Sequence, residues 1–203
     1  AINAFNKALA IKPDYAEAYY NMGIALKGMI FRKPNPSLQK TITSILDHKT
    51  YVRPRDISSA AISLLNFEPA IKELFQQHSQ GNLNQSFQET VLALSELPLL
   101  LKLMSVCPLA NLELEAVLTD IRSGLLSSVS EITGNSDVLR FQSALALQCF
   151  TNEYVYEQTD IETKALEALE ISVKKKLTTG EQPSPMSILC LGSYKALHEY
   201  EWS

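Results

Sequence analysis

The chain has 203 residues, a formal net charge of −4 and an isoelectric point near 5.5, and 46% of its residues are hydrophobic. This composition is ordinary for a globular protein with a sizeable core, and the acidic balance argues against a nucleic-acid binder, which usually presents a basic face. The most apolar run, residues 97–107, is about half the length that spans a bilayer and contains Lys102, so it predicts a core helix instead of a membrane anchor.

Two amphipathic helices are predicted at the start of the chain. Residues 1–11 carry apolar side chains at helical spacing, Pro13 ends that segment, and residues 16–28 repeat the pattern. The small residues Ala8 and Gly23 are expected where two helices cross closely. The predicted core positions of the second helix are Tyr19, Met22, Gly23 and Leu26.

Nine further helices are predicted from proline starts, polar breaks and helical periodicity. They cover residues 36–48, 54–67, 67–78, 86–94, 98–107, 112–132, 138–150, 160–178 and 185–200. The segment 138–150 is apolar nearly all round and is expected to be central. Gly124 is expected to be a tolerated weak point. No segment alternates with period two over a useful length, so the predicted fold class is all-α.

Side chains that cap helices are predicted at three of these starts. Asn35 precedes the proline that opens one helix, and Ser136 or Asp137 is expected to cap another. Thr159 and Glu162 have the spacing of a capping box, in which each side chain satisfies a free backbone N–H of the first turn.

Residues 1–28 resemble the tetratricopeptide repeat (TPR) family. The residues that match its second helix and exit turn are Ala1, Phe5, Ala8, Leu9 and Pro13, and those that match its first helix are Tyr19, Asn21, Met22, Gly23 and Leu26. The resemblance ends at Gly28, because the following residues lack the next helix of the repeat. It implies the end of a TPR superhelix, about one and a half repeats long, capped by a multi-helix bundle that shields the last apolar face.

The TPR resemblance also implies a partner-binding surface, because in that family the face opposite the core lines a concave groove for peptides. On the second helix this face carries Glu17, Tyr20, Asn21, Ile24 and Lys27. Asn21 matches a position that often bonds peptide backbone or carboxylate, whereas the basic residues of a carboxylate clamp are absent at Tyr20 and Ile24. Two interpretations stay open: these residues bind a protein or peptide, or they pack against the following helix.

No catalytic residue, cofactor site or metal site is predicted. The glycines are scattered and none follows a strand, so the chain encodes no nucleotide or S-adenosylmethionine site. We interpret the histidines and the acidic and basic clusters as solvated surface side chains, not as ligands or catalytic groups. They are His48, His78, His198, Glu113, Glu115, Asp120 and Lys174 to Lys176. The sequon at Asn84 is accidental in a cytoplasmic protein. Cys107, Cys149 and Cys190 are expected to be buried free thiols in a reducing compartment.

Residues 141–162 resemble the helical segment that joins TPRs to a class I S-adenosylmethionine-dependent methyltransferase domain in bacterial proteins. The likeness is carried by Ala144, Leu145, Ala146, Gln148, Cys149, Phe150, Asn152, Glu153, Tyr154, Val155 and Tyr156, and residues 31–65 suit the start of such a segment. The resemblance implies that a catalytic domain follows Ser203. The aromatic residues near that end, Tyr194, Tyr200 and Trp202, pack either against such a domain or back on the last helices.

Three hypotheses of function follow. The preferred one is a non-catalytic scaffold that binds a protein or peptide through the TPR face and contacts a downstream methyltransferase domain. Its expected division is residues 1–30 as the end of a TPR array, 31–180 as a capping bundle and 181–203 as a C-terminal helix. The second is an enzyme with an all-α active site built from Gln142, Gln148 and Asn152 beside Cys149. The third, a nucleic-acid binder, is the least favoured because the chain is acidic.

Overall fold

A computed structural model describes residues 2–47, 52–81, 87–130 and 136–201. These residues form eleven α-helices and a short 3-10 helix, and none of them lies in a β-strand, which confirms the all-α fold class. The helices are α1 (Ile2–Ile11), α2 (Ala16–Leu26), α3 (Pro36–Asp47), α4 (Pro54–Leu65), α5 (Pro69–Ser79), α6 (Phe87–Ser95), α7 (Pro98–Val106), α8 (Leu112–Ser127), α9 (Ser136–Thr151), α10 (Asp160–Thr178) and α11 (Pro185–Gly192), and the 3-10 helix covers Leu197–Glu199.

The helix α9 lies at the centre of the fold, as its apolar sequence predicts. It packs against α6, α7 and α11, while α7 also contacts α3 and α4. Phe141, Leu145 and Cys149 of α9 are fully enclosed. One continuous cluster of buried apolar side chains extends from Leu9 on α1 to Cys190 on α11. The first two helices therefore share their core with the helices that follow.

Local capping explains several helix starts. The Asn35 side-chain oxygen accepts a hydrogen bond from the Leu38 backbone N–H at 3.0 Å, which confirms the predicted start of α3. The capping box of α10 is also present: Thr159 Oγ1 accepts from the Glu162 N–H at 3.2 Å, and the Thr159 N–H donates to Glu162 Oε2 at 2.8 Å. The sequence analysis missed a further cap, Asn111, which accepts from the N–H of Leu114 at the start of α8.

Several predicted helix boundaries are wrong. The helix α5 begins at Pro69, because the preceding Glu68 is extended, and not at residue 67. Helix α8 ends at Ser127 with Ser128 as its C-cap, whereas the periodicity extended it to residue 132, which is outside the described residues. Ser136 and Asp137 lie in the first turn of α9 and not before it. The last helix ends at Gly192 instead of Tyr200.

The early end of α11 has a tertiary cause. After Gly192 the chain turns back, so that Tyr194 and Tyr200 are both buried. The Tyr194 hydroxyl donates to Glu162 Oε1 at 2.6 Å, and the Tyr200 hydroxyl donates to the Leu191 carbonyl at 2.9 Å. These two tyrosines therefore fold back on the protein's own helices and give no support to the expectation that they pack against a further domain. Trp202 lies outside the described residues.

Side chains of other segments closely approach two helical glycines. A Cβ atom at Gly23 would lie 2.4 Å from Cγ2 of Val52, which precedes α4. A Cβ atom at Gly124 would lie 2.6 Å from Phe87 Cε2 on α6. Helix α8 continues through Gly124, and an alanine there would require the Phe87 ring to move.

We expect the substitution Gly124→Ala to lower the free energy of unfolding by about 1–2 kcal/mol, although alanine favours a helix by about 1 kcal/mol over glycine. The loss arises because the ring of Phe87 must move away from the new methyl group. Urea denaturation of the two proteins measures the difference. In a protein that carries Phe87→Leu, the further substitution Gly124→Ala should lower the free energy of unfolding by less than it does in the wild type. A Gly124→Ala variant more stable than the wild type would contradict this packing argument.

Within the described ranges, no helix has both the length and the apolar character needed to cross a bilayer.

Candidate partner-binding surface

Helix α2 is held firmly by its inner face. Tyr19, Met22 and Leu26 are almost completely buried, and the helix packs against α1 and α4. The Tyr19 hydroxyl also donates to the carbonyl of Pro13 at 2.8 Å, which fixes the turn between α1 and α2. The four predicted core positions of α2, including Gly23, are thereby confirmed, and the orientation of the opposite face is set by them.

The outer face of α2 contains the five residues assigned to partner binding, and all five are exposed. Tyr20 and Ile24 are each 56% exposed, and their spacing of four residues places them next to each other on the helix. The exposure of these side chains shows that the interpretation in which this face is packed against the following helix is wrong. Lys27, the C-cap of α2, forms an ion pair with Asp56 of α4 at 3.4 Å.

The charged residues of this face are oriented by neighbours. Glu17 Oε2 accepts a hydrogen bond from the Tyr15 hydroxyl at 3.0 Å, and this bond, together with the negative charge of Glu17, raises the pKa of Tyr15. Lys27 is oriented by Asp56 at the other end of the helix. The surface of α2 therefore presents an apolar pair with Asn21 beside it, an acidic group at one end and a basic group at the other.

His78, His198 and the acidic residues of α8 belong to other segments than this face. His78 Nδ1 is 2.8 Å from Asp120 Oδ2, so a polar contact joins α5 and α8, and the two side chains remain 32% and 51% exposed. His198 and Glu113 are exposed, Glu115 is half-buried, and His48 lies outside the described residues, as does the Asn84 sequon. In the described part of the chain, no three His, Cys, Asp or Glu residues are grouped so that they could hold a metal ion.

The three cysteines are buried and free of disulfides, as predicted. Burial raises the pKa of Cys107 to about 11 and the pKa of Cys149 and Cys190 to about 12. A thiol with such a pKa is protonated at neutral pH and is a poor nucleophile. This chemistry disfavours the hypothesis that Cys149 serves an active site.

The glutamines beside Cys149 have structural partners. Gln142 Nε2 donates to Ser193 Oγ at 3.1 Å, which ties α9 to the end of α11. The amide of Gln148, in the orientation that satisfies both neighbours, donates to the Cys107 carbonyl and accepts from the Leu109 N–H, each at 3.1 Å. Both side chains are thus used to join segments of backbone and helix inside the bundle.

A buried ionic cluster was missed by the sequence analysis. Arg122 of α8 and Glu162 of α10 have side chains only 2% and 4% exposed, and Arg122 Nη2 lies 3.5 Å from Glu162 Oε1. The guanidinium also donates to the Glu157 carbonyl and lies 4.1 Å from the centre of the Tyr194 ring. We call Arg122, Glu157, Glu162 and Tyr194 the Arg122 cluster. Its sequence signal was an arginine on the apolar stripe of α8, four residues after Leu118.

The protonation states of the Arg122 cluster follow from its contacts. Burial on its own would raise the pKa of Glu162, but hydrogen bonds from Tyr194 and Thr159 and the charge of Arg122 lower it below its usual value. Burial and the hydrogen bond to Glu162 raise the pKa of Tyr194. At neutral pH the cluster therefore contains a carboxylate, a guanidinium and a neutral phenol, and it joins α8, α10 and the segment after α11.

Comparison with known proteins supports the likeness of the first two helices. A family model described as a TPR repeat matches residues 1–29, a range that includes α1, α2 and every residue of the candidate surface. No curated protein and no solved structure gives a significant match to the chain. The start of the chain is thus similar to a TPR, a kind of repeat that generally binds proteins or peptides and is typically non-catalytic.

Proposed function

We propose that this chain is a non-catalytic helical scaffold that binds a protein or peptide through the exposed face of α2. The observation that carries the proposal is the pair Tyr20 and Ile24, both more than half exposed on a helix whose other face is buried. Apolar side chains of this size that stand together among polar neighbours are typical of interaction sites. The TPR match over residues 1–29 supports the same surface.

The chemistry of the α2 face indicates what a partner would use. An aliphatic or aromatic side chain of the partner would cover Tyr20 and Ile24, and the amide of Asn21 offers both donors and an acceptor to an extended peptide backbone. Glu17 and Lys27 add charges of opposite sign at the two ends of the face. We therefore expect a partner segment with a central apolar residue and mixed charge, bound without a carboxylate clamp.

Selection from a phage-displayed library of random peptides tests the proposal. At least one family of peptides selected on the full 203-residue chain should bind at least about tenfold more weakly to the variant Tyr20→Glu with Ile24→Glu, because the apolar contact is lost. Ile171→Glu is a matched control, since Ile171 is 70% exposed on α10, away from this face. Circular dichroism would verify that each variant is folded. The proposed surface is refuted if no selected peptide binds the α2 variant more weakly than the wild type.

The finer part of the proposal is that the chain is the accessory region of a TPR-containing bacterial methyltransferase in the cytoplasm. It is supported by the resemblance of residues 141–162 to the segment that joins TPRs to such enzymes. We keep the division into residues 1–30, 31–180 and 181–203 as part of this proposal. The check is transfer of a labelled methyl group from S-adenosylmethionine, which we expect from the longest natural form of the protein and not from residues 1–203 alone.

A further inference from the structure

A second exposed apolar surface lies in the C-terminal part of the chain, between α9, α11 and the 3-10 helix. It is a groove of about 500 Å³. One wall contains Leu147 and Phe150 of α9 and Tyr154 of the turn that follows it, and the other wall contains Ile188, Leu189 and Leu197. Although α9 is the central helix, Leu147 and Phe150 are 45% and 57% exposed, because nothing in the described structure covers this side of it.

The backbone beside the groove is strained. Glu153 and Tyr154 are consecutive non-glycine residues with φ of 59° and 57°, in the left-handed region that side chains of this kind rarely adopt. The turn brings the Tyr154 ring against Phe150 in an edge-to-face contact, with 6.4 Å between the ring centres. Strain of this kind persists where the surrounding structure enforces it and is concentrated at functional sites. Here it shapes the aromatic end of the groove.

The same end of the groove is acidic. Glu153 is exposed on the strained turn, and Glu199 is exposed on the 3-10 helix. Glu153 and Glu199 are the sequence neighbours of Tyr154 and His198, which line the groove. The C-terminal end of α9 contributes a further negative potential. A partner that lies in the groove would therefore gain from a positive charge at this end.

We propose that this groove binds an amphipathic helix of another protein, with leucine-type residues facing the groove and lysine or arginine residues meeting Glu153 and Glu199. A helix is the favoured form because the walls are themselves helices, between which the side chains of a third helix can pack. A helix satisfies its own backbone hydrogen bonds, whereas the mainly apolar lining of this groove offers few polar partners to the backbone of an extended peptide. This site is formed by other helices than the α2 face and is independent of the proposed function.

Fluorescence anisotropy with a synthetic probe tests the proposal. The probe is a labelled peptide of about 14 residues with leucines at i, i+4, i+7 and i+11 and lysines after the last leucine. We expect it to bind the full chain, and we expect Leu147→Glu or Phe150→Glu to weaken binding about tenfold or more. The control Ile171→Glu adds the same charge at an exposed apolar position of α10 and should leave binding unchanged.

Charge reversal tests the acidic end separately. The double variant Glu153→Lys with Glu199→Lys should weaken binding of the lysine probe and strengthen binding of a probe with glutamates in place of the lysines. The proposal is overturned if the lysine probe does not bind, if it binds the groove variants as well as the wild type, or if charge reversal leaves the preference unchanged. It is also overturned if sedimentation shows a wild-type dimer that Leu147→Glu dissociates, since a second copy would then occupy the groove.

Discussion

Replacement of Arg122 by methionine is expected to lower the free energy of unfolding by about 3–5 kcal/mol. Methionine preserves much of the apolar stem of the side chain but removes the charge that Glu162 faces in the core. The carboxylate of Glu162 would then be buried without its counter-charge, and the Glu157 carbonyl would lose its donor. Urea denaturation followed by circular dichroism measures the loss.

Two variants control for the effect of Arg122→Met. The double variant Arg122→Met with Glu162→Gln should recover much of the loss, because the buried charge is removed while glutamine still suits the capping box of α10. Arg140→Met removes an arginine whose pair with Asp137 is more than half exposed and which also donates to the Ser95 carbonyl, so it should lower the free energy of unfolding by only about 1–2 kcal/mol. Equal losses for Arg122→Met and Arg140→Met would contradict the importance of burial.

The Arg122 cluster also predicts a dependence of stability on pH. The pKa of Glu162 is lower in the folded protein than its ordinary value of 4.5. A group with a lowered folded pKa stabilises the protein above its ordinary pKa, and this stabilisation is lost as the pH falls through the folded value. The difference in stability between the wild type and the Glu162→Gln variant should therefore be largest near neutral pH and should shrink below a pH of 4.5.

The sequence predicted the helix starts that have a side-chain cap better than it predicted the end of α11. Starts are marked locally, by Asn35 before a proline and by the Thr159 and Glu162 capping box, and both proved correct in the structure. The end of α11 depends on tertiary contacts: the sequence between Gly192 and Tyr200 is compatible with a helix, but the chain turns because Tyr194 reaches Glu162, 32 residues away. Periodicity carries no information about such a partner.

The exposure of the candidate surface could be predicted because it depends on the residue spacing within one helix. The outer face of α2 is given by the spacing of Tyr20 and Ile24 relative to the core positions, and the structure confirms that both are exposed. The groove along α9 was not predictable in this way, because α9 is apolar nearly all round and its sequence does not show which side stays uncovered. That side is decided by where α6, α7 and α11 pack around it.

The last prediction compares the substitution of phenylalanine by alanine on two faces of α9. Phe141 is fully buried, and Phe150 is 57% exposed nine residues later on the same helix. Phe141→Ala should lower the free energy of unfolding by about 3–5 kcal/mol, since it leaves a cavity in the central core. Phe150→Ala should lower it by no more than about 1.5 kcal/mol, mainly through the lost edge-to-face contact with Tyr154.

Urea denaturation of the two alanine variants, read together with anisotropy of the lysine probe, separates the roles of these faces. If α9 supports the core with one side and the groove with the other, Phe141→Ala will be the less stable protein, whereas Phe150→Ala will be the one that loses probe binding while it remains folded. Comparable losses of stability in both variants would mean that Phe150 is covered in solution. The exposed side of α9 would then be part of the core and not a docking surface.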